Sequence, residues 1–102
     1  MPARIRSRRT EIDGFVFQSI HEAKRYAELK LEEKNGDISN LELQVKFEIK
    51  IKGKHICNYF ADFVYQDHGI KVVEDAKGYK TEIYRLKKKL VEAEYGIKIQ
   101  ET

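Results

Sequence analysis

The sequence predicts an α+β fold of one domain, in which a helix, a three-stranded antiparallel meander, a second helix and a final strand build a mixed sheet. Three observations predict it. Residues 41–51 alternate between apolar and polar side chains without a break, as a half-buried strand requires. Residues 20–34 and 81–95 repeat apolar side chains at helical spacing. A length of 102 residues allows one hydrophobic core without metal or disulfide cross-links.

Composition narrows the class of protein. Charged residues make up 36% of the chain and the net charge is +3, so the distribution of charge is more informative than its sum. Cys57 is the single cysteine, which excludes an internal disulfide framework and favours a reducing compartment. We interpret Cys57 as a small, partly buried side chain rather than a nucleophile. No segment has the roughly 18 apolar residues of a membrane span, so we expect a soluble, cytoplasmic protein.

The chain begins with a basic stretch. Residues 1–9 contain no acid and are expected to form a flexible arm, so that the folded domain covers residues 10–102. Asp13-Gly14 then predicts a short hairpin. The basic residues of the arm are Arg4, Arg6, Arg8 and Arg9.

Ser19 and Glu22 have capping-box spacing, which predicts a helix that begins after Ser19. Asn35-Gly36 predicts its end near Lys34. Glu22 has two interpretations here: it closes the helix N-terminus, which the spacing alone favours, or it adds a third acid to a site. The expected buried stripe is Ile20, Ala23, Ala27 and Leu31, widened by Tyr26 and Leu29.

Two turns fix the expected register of the meander. A loop of three residues at 52–54 is favoured because it would place Gln44 opposite Asp62, whereas a loop of two residues would turn Asp62 towards the apolar face. A loop at His68-Gly69 would place Asp62 opposite Asp75. Glu74 is then left on the apolar side without an explanation.

A second helix is expected at about 81–95, with Gly96 as its end and Ile97–Gln100 as a final strand parallel to its neighbour. Its predicted apolar stripe is Ile83, Leu86, Leu90 and Ala93. From Lys77 to Lys89 there are six basic residues against the single acid Glu82. This stretch and the basic arm are each consistent with phosphate-backbone binding or with a solvated surface.

The predicted register brings Asp62, Asp75 and Lys77 to one face of the hairpin. Two carboxylates at this separation repel each other, and a divalent cation would relieve the repulsion. Oxygen ligands without sulfur or imidazole favour Mg²⁺ or Mn²⁺. Such a cation beside a lysine suits hydrolysis of a phosphodiester.

The same residues resemble the D…(D/E)-x-K pattern of the PD-(D/E)xK nuclease superfamily, and Ala61 stands where that pattern usually has proline. Further segments are similar to a family of small phage and prophage proteins, first catalogued as a domain of unknown function and placed among endonucleases. These segments are Phe17–Tyr26, Leu41–Gln44, Tyr59–Phe63 and Val73–Gly78. The resemblance implies a restriction-endonuclease-like core and, for a phage protein, location in the cytoplasm of the bacterial host.

The resemblance also implies roles for individual residues. Asp62 and Asp75 would bind Mg²⁺, with Mn²⁺ as a substitute, and Lys77 would assist the attacking water. Glu22 would complete the acidic site, which reverses the preference for a cap alone, and Gln44 is a further candidate contact. The DNA backbone would be held by Arg4, Arg6, Arg8, Arg9, Lys80, Arg85, Lys87 and Lys88.

Three functions compete at this point. The leading hypothesis is a Mg²⁺-dependent DNA endonuclease that acts on branched DNA such as a Holliday junction, with a homodimer expected for paired cuts. The second is a DNA-binding module on a nuclease scaffold that does not hydrolyse DNA. The third is a structural phage protein, which would show no salt-dependent affinity for DNA.

Overall fold

The computed structural model describes residues 9–102, so the predictions for Arg4, Arg6 and Arg8 lie outside the described part of the chain. Neither helix in this part has the length and apolar character needed to cross a bilayer. The elements are β1 (Thr10–Ile12), β2 (Phe15–Phe17), α1 (Ile20–Lys34), β3 (Ser39–Ile51), β4 (Lys54–Asp67), β5 (Ile70–Asp75), α2 (Glu82–Tyr95) and β6 (Ile99–Glu101).

The main sheet has the order β3-β4-β5-β6, and β1 and β2 form a separate two-stranded sheet. Strands β3, β4 and β5 pair antiparallel, while β6 joins β5 in parallel after the crossover through α2. This confirms the predicted α+β domain with two helices and a mixed sheet. The turns at Asp13-Gly14 and His68-Gly69 are also as predicted, and all four residues have positive φ, as the tight turns that join two strands require.

Each face of the main sheet carries its own hydrophobic core. Phe63 packs in the core around α1, whereas the next residue, Val64, packs in the core around α2. Successive strand residues point to opposite faces, so the two helices cover opposite sides of the sheet. The α1 core is formed by Phe17, Ala23, Tyr26, Leu29, Ile38, Phe63, Tyr65 and Ala76. The α2 core is formed by Phe47, Ile49, Tyr59, Ala61, Val64, Val73, Tyr84, Val91 and Ile99.

The predicted three-residue loop at 52–54 is wrong. Ile51 pairs directly with Lys54, so the loop consists of Lys52 and Gly53, both with positive φ. A register shift follows, because Lys50 pairs with His55 but Ile49 pairs with Cys57, which leaves Ile56 as the extra residue of a bulge. The bulge offsets the shorter loop, and Gln44 still falls opposite Asp62.

The alternation of β3 and β4 also differs from the prediction of one continuous apolar face. Leu41 and Leu43 pack against the α1 core, whereas Val45 packs against the α2 core. Between them, Gln44 has a φ of 51°, a left-handed conformation that is uncommon for a residue with a side chain. The change of face in β3 therefore occurs opposite Asp62, at the centre of the predicted site.

Helix α1 begins and ends as predicted, with Ser19 as N-cap and Asn35 as C-cap, but only part of its predicted stripe is buried. Ala23, Tyr26 and Leu29 are buried as predicted. Ala27 is exposed, as are Ile20 and Leu31, at 48% and 59%. The helix is rotated so that the large Tyr26 ring fills the core. The same rotation turns Glu22 and Arg25 towards the sheet.

Helix α2 likewise presents a different face from the predicted one. Ile83 and Leu86 are 61% and 54% exposed, and the buried residues are Tyr84 and Val91. The residues between them on this face are Lys87 and Lys88, whose half-buried side chains cover apolar surface while their ammonium groups reach polar partners. Because lysines occupy these positions, the spacing of apolar residues does not identify the buried face of α2.

Candidate active site

The site lies where the β4–β5 ladder ends. The backbone pairing of these strands runs as far as Phe63 and Glu74, in the register that was predicted to set Asp62 opposite Asp75, and beyond it each acid accepts a backbone N–H. The Asp62 N–H donates to Asp75 Oδ1 at 3.2 Å, and the Ala76 N–H donates to Asp62 Oδ2 at 3.0 Å. These bonds hold both carboxylates in place at the edge of the ladder.

Asp75 is the most enclosed member of the site. Its side chain is fully buried, and its Oδ2 atom has no hydrogen-bond partner among the described residues. Burial raises the pKa of Asp75, although Lys77 opposes the rise. A buried carboxylate oxygen without a protein donor is costly, and a bound cation or water is one way in which native folds compensate such an atom.

Lys77 connects the two acids. Its Nζ atom lies 3.6 Å from Asp62 Oδ2 and 3.5 Å from Asp75 Oδ1. Burial opposes the charge of the lysine, but Asp62 and Asp75 outweigh it and raise the pKa of Lys77, so that the ammonium form persists. The same Nζ atom lies 5.5 Å from the centre of the Tyr84 ring, within the range of a cation–π contact.

Glu22 and Gln44 complete the group that the sequence predicted. Gln44 Nε2 donates to Asp62 Oδ1 at 3.0 Å and lies 3.4 Å from Glu22 Oε2. Burial and the charge of Asp62 raise the pKa of Glu22 to about 7. The cap is made separately, because Ser19 Oγ accepts the Glu22 N–H at 3.1 Å and leaves the carboxylate of Glu22 facing the site. The structure thus brings Glu22, Gln44, Asp62, Asp75 and Lys77 together.

The chemistry of these donors fits a hard divalent cation. Within residues 9–102, no three His, Cys, Asp or Glu side chains already form a metal-binding cluster. The unpartnered Oδ2 of Asp75 is nevertheless a ready ligand atom, and carboxylate oxygens suit Mg²⁺ and Mn²⁺. Asp62 and Glu22 are the acids that would add oxygen ligands beside it.

Sequence reasoning missed a second buried network directly behind the site. Glu74 is fully buried and accepts hydrogen bonds from Arg25, Tyr65 and Thr102. Arg25 Nη2 lies 3.1 Å from Glu74 Oε1, and the Tyr65 hydroxyl lies 2.6 Å from the same atom. Burial opposes the charge of Glu74, but these donors outweigh it and lower the pKa of Glu74. Glu74, which the sequence left without an explanation, therefore links α1 to β5. Arg25, three residues after Glu22, is the residue from which a buried partner for Glu74 could have been predicted.

Tyr84 is a second residue that apolar spacing did not identify. It is buried in the α2 core, and its hydroxyl donates to Glu101 Oε2 at 2.8 Å. Lys77 Nζ lies over the Tyr84 ring, so α2, which carries Tyr84, and β6, which carries Glu101, both contribute to the site. Cys57 is half-buried against the same core, as the structural interpretation of this residue expected.

The predicted DNA-binding residues differ in their surroundings. Arg9 and Arg85 are exposed, and Lys80 is half-buried. Lys87 Nζ donates to the Asn58 carbonyl at 3.2 Å, and Lys88 Nζ lies 3.3 Å from Glu92 Oε2. Among the described members of this set, Arg9 and Arg85 therefore offer the most accessible charge.

Comparison with protein families gives a match over most of the chain. A family described as "Protein of unknown function (DUF1064)" matches residues 3–101. Neither the curated proteins nor the solved structures include a match to this chain. Because the matched residues extend over nearly the whole sequence, the chain belongs to the DUF1064 family.

Proposed function

We propose that the protein is a Mg²⁺-dependent DNA endonuclease with a restriction-endonuclease-like core. The observation that carries this proposal is the buried, unpartnered Oδ2 of Asp75, held beside Asp62 and Lys77. A buried carboxylate oxygen costs free energy unless a donor or a cation compensates it. Here one oxygen is left free at the point where three acids and a lysine meet.

Each residue of the site has a chemical role in this proposal. Asp62 and Asp75 would hold the cation, which when bound supplies positive charge to a phosphate oxygen and acidifies a water. Lys77 stays protonated between the acids, so it orients the attacking water and stabilises the charge that develops on the phosphate. Glu22, whose pKa is about 7, completes the acid set and can hold a proton near neutral pH.

The substrate side of the proposal rests on charge. Arg9 and Arg85 are exposed and would contact the phosphate backbone, together with the other basic residues of the arm and of α2. Phosphate contacts position DNA without reading its sequence. Branched DNA such as a Holliday junction is therefore the first substrate to examine, and paired cuts in it would require a homodimer.

A panel of duplex, flap, single-stranded and four-way DNA, each incubated with Mg²⁺ or Mn²⁺, tests the proposal. We expect the wild-type chain to cut at least one substrate and Asp75→Ala to lose at least about a hundredfold in rate while still binding DNA, because it removes a ligand needed only for chemistry. The matched control is Asp37→Ala, which removes an exposed acid outside the site. Equal cleavage by Asp75→Ala and the wild type would refute the assignment.

A DNA-binding module without hydrolysis is the second candidate, and one observation favours it. The exposed side chains of Arg9 and Arg85 would bind a phosphate backbone whether or not the acids hydrolyse it. A titration of Mn²⁺ into the pure protein separates the two functions. Site-specific binding that is lost in Asp75→Ala supports the nuclease, whereas absence of specific binding supports the module.

A further inference from the structure

A cavity of about 250 Å³ adjoins the candidate active site on the side of β2. Its lining includes Phe15, Val16, Gln18 and Leu43, and it shares Glu22 and Gln44 with the site. This volume lies just below the roughly 300 Å³ at which pockets for whole small-molecule ligands begin, so it fits one compact group. Any group that occupies it lies next to the acids.

The outer wall of the cavity is apolar. Phe15 and Val16 are 45% and 47% exposed, although each is large enough to be buried in a core. The Phe15 ring is held by its neighbours, since its centre lies 6.5 Å from that of Phe17 and 5.8 Å from that of Tyr26. An exposed ring that is fixed in advance loses little conformational freedom when it binds a flat partner.

Charge restricts what the cavity can hold. Glu22 and the neighbouring Asp62 would repel a phosphate, so the occupant is an uncharged part of the substrate. The Gln18 side chain is exposed at the rim and offers an amide that can pair with a polar edge. A flat, neutral group with polar edges, covalently close to a phosphate, is a nucleobase.

We propose that this cavity receives an unstacked nucleobase of the DNA whose phosphate lies at Asp62 and Asp75, with Phe15 as the stacking surface. The inference rests on the proposed function and names its substrate class. A base inside a duplex must be unstacked and unpaired before it can enter, whereas a base at a bulge, flap or junction is already free. The protein therefore prefers DNA that carries an unpaired nucleotide at the cleavage point.

The test measures binding of two labelled DNAs, a duplex with one unpaired 2-aminopurine and the same duplex with that base paired, with Ca²⁺ in place of Mg²⁺ so that an oxygen-binding cation neutralises the acids while cleavage is suppressed. We expect wild type to bind the first DNA about tenfold more tightly and to quench its 2-aminopurine by stacking. Phe15→Ala should reduce the ratio of the two affinities to about one. Phe15→Tyr, which keeps a ring, should retain the ratio.

Two further variants make the result independent of stability. Gln18→Ala removes the exposed amide that lines the cavity without touching the Phe15–Tyr26 contact, and it should lower the ratio by a smaller factor. Ile70→Ala removes an apolar side chain that is 69% exposed at the opposite end of β5 from Asp75, and it should leave the ratio unchanged.

Three results would overturn the inference: equal affinity of the wild type for both DNAs, an unchanged ratio in Phe15→Ala, or a change of oligomeric state in Phe15→Ala with the ratio intact. The last would mean that a second copy of the chain covers the wall. Failure of the proposed function is a separate result, because it shows as absence of Mg²⁺-dependent cleavage by the wild type whatever the binding ratio is.

Discussion

At the scale of single residues, the site depends on side chains held in states that are costly without a ligand. Asp75 is fully buried with one oxygen unpartnered, and Glu22 lies beside the charge of Asp62. Folded proteins place such strain where binding or catalysis uses it. Gln44, with its left-handed backbone, bonds to Asp62 at the same point.

Glu22 makes this strain measurable through pH. Its pKa of about 7 in the folded chain exceeds the ordinary value of 4.5, so between these values the folded state keeps a proton that the unfolded state has lost. The free energy of unfolding therefore falls as pH rises through this window. We expect Glu22→Gln to raise the melting temperature by a few °C at most at pH 8, because Glu22 is half-exposed, and to change it little at pH 4.

Thermal unfolding of Glu22→Gln and wild type at both pH values, in metal-free buffer, checks this. Glu42→Gln is the control, since Glu42 is an exposed acid of β3 outside the site. A lower melting temperature of Glu22→Gln at pH 8 would show that the carboxylate of Glu22 stabilises the fold.

Much of the site was predictable at this scale because tight turns have local causes. Counting outward from His68-Gly69 was sufficient to bring Asp62, Asp75 and Lys77 together, since the chemistry of the turn fixes the register beside it. The two roles of Glu22 could not be separated, because a capping box and an acidic site use the same carboxylate. The structure separates them through Ser19, whose own hydroxyl makes the cap.

At the scale of elements, the buried face of α2 was the part that sequence did not predict. Apolar spacing favoured Ile83 and Leu86 on α2, but the helix turns Tyr84 inward. The Tyr84 hydroxyl bonds to Glu101, and the Tyr84 ring lies under Lys77. Both partners lie outside α2, so the sequence of the helix alone does not indicate that Tyr84 is buried. The length of the loop between β3 and β4 was also not predicted. The bulge at Ile56 shifts the register by one residue, so a two-residue loop gives the pairing that was expected from a three-residue loop.

The link between α1 and β5 gives a prediction at this scale. Arg25→Ala leaves the fully buried Glu74 without its cation, while Tyr65 and Thr102 still donate to it. We expect a loss of about 3 kcal/mol in the free energy of unfolding, measured by urea denaturation. DNA cleavage should fall as well in the folded variant, because α1 also carries Glu22.

Lys30→Ala provides the comparison on the same helix. It breaks the pair with Glu33, in which the lysine side chain is 48% exposed, and exposed pairs of this kind contribute less than about 1 kcal/mol. Similar losses in Arg25→Ala and Lys30→Ala would mean that the Glu74 network does not hold α1 against the sheet.

At the scale of the whole molecule, the predicted order of elements is confirmed because it follows from local signals: caps at Ser19 and Gly96, turns between strands and a helix before the parallel strand. The division into two cores was not predicted, since a single alternating strand was expected to serve one face. The change of face at Gln44 lets one long hairpin contribute to both cores. Because this change of face lies opposite Asp62, the acids are at the boundary between the two cores.

We propose that Asp62, Asp75 and Lys77 hydrolyse phosphodiester bonds with Mg²⁺. The most direct measurement is the single-turnover cleavage rate of the best substrate from the DNA panel, as a function of Mg²⁺ concentration, for wild type and Asp75→Asn. Asparagine keeps the size of the side chain and removes the ligand charge. We expect the wild type to show saturable, Mg²⁺-dependent cleavage. The cleavage rate of Asp75→Asn should be at least about a hundredfold below that of the wild type at every Mg²⁺ concentration. Cleavage by Asp75→Asn at the wild-type rate, or cleavage by wild type that is unaffected by removal of divalent cations, would contradict it.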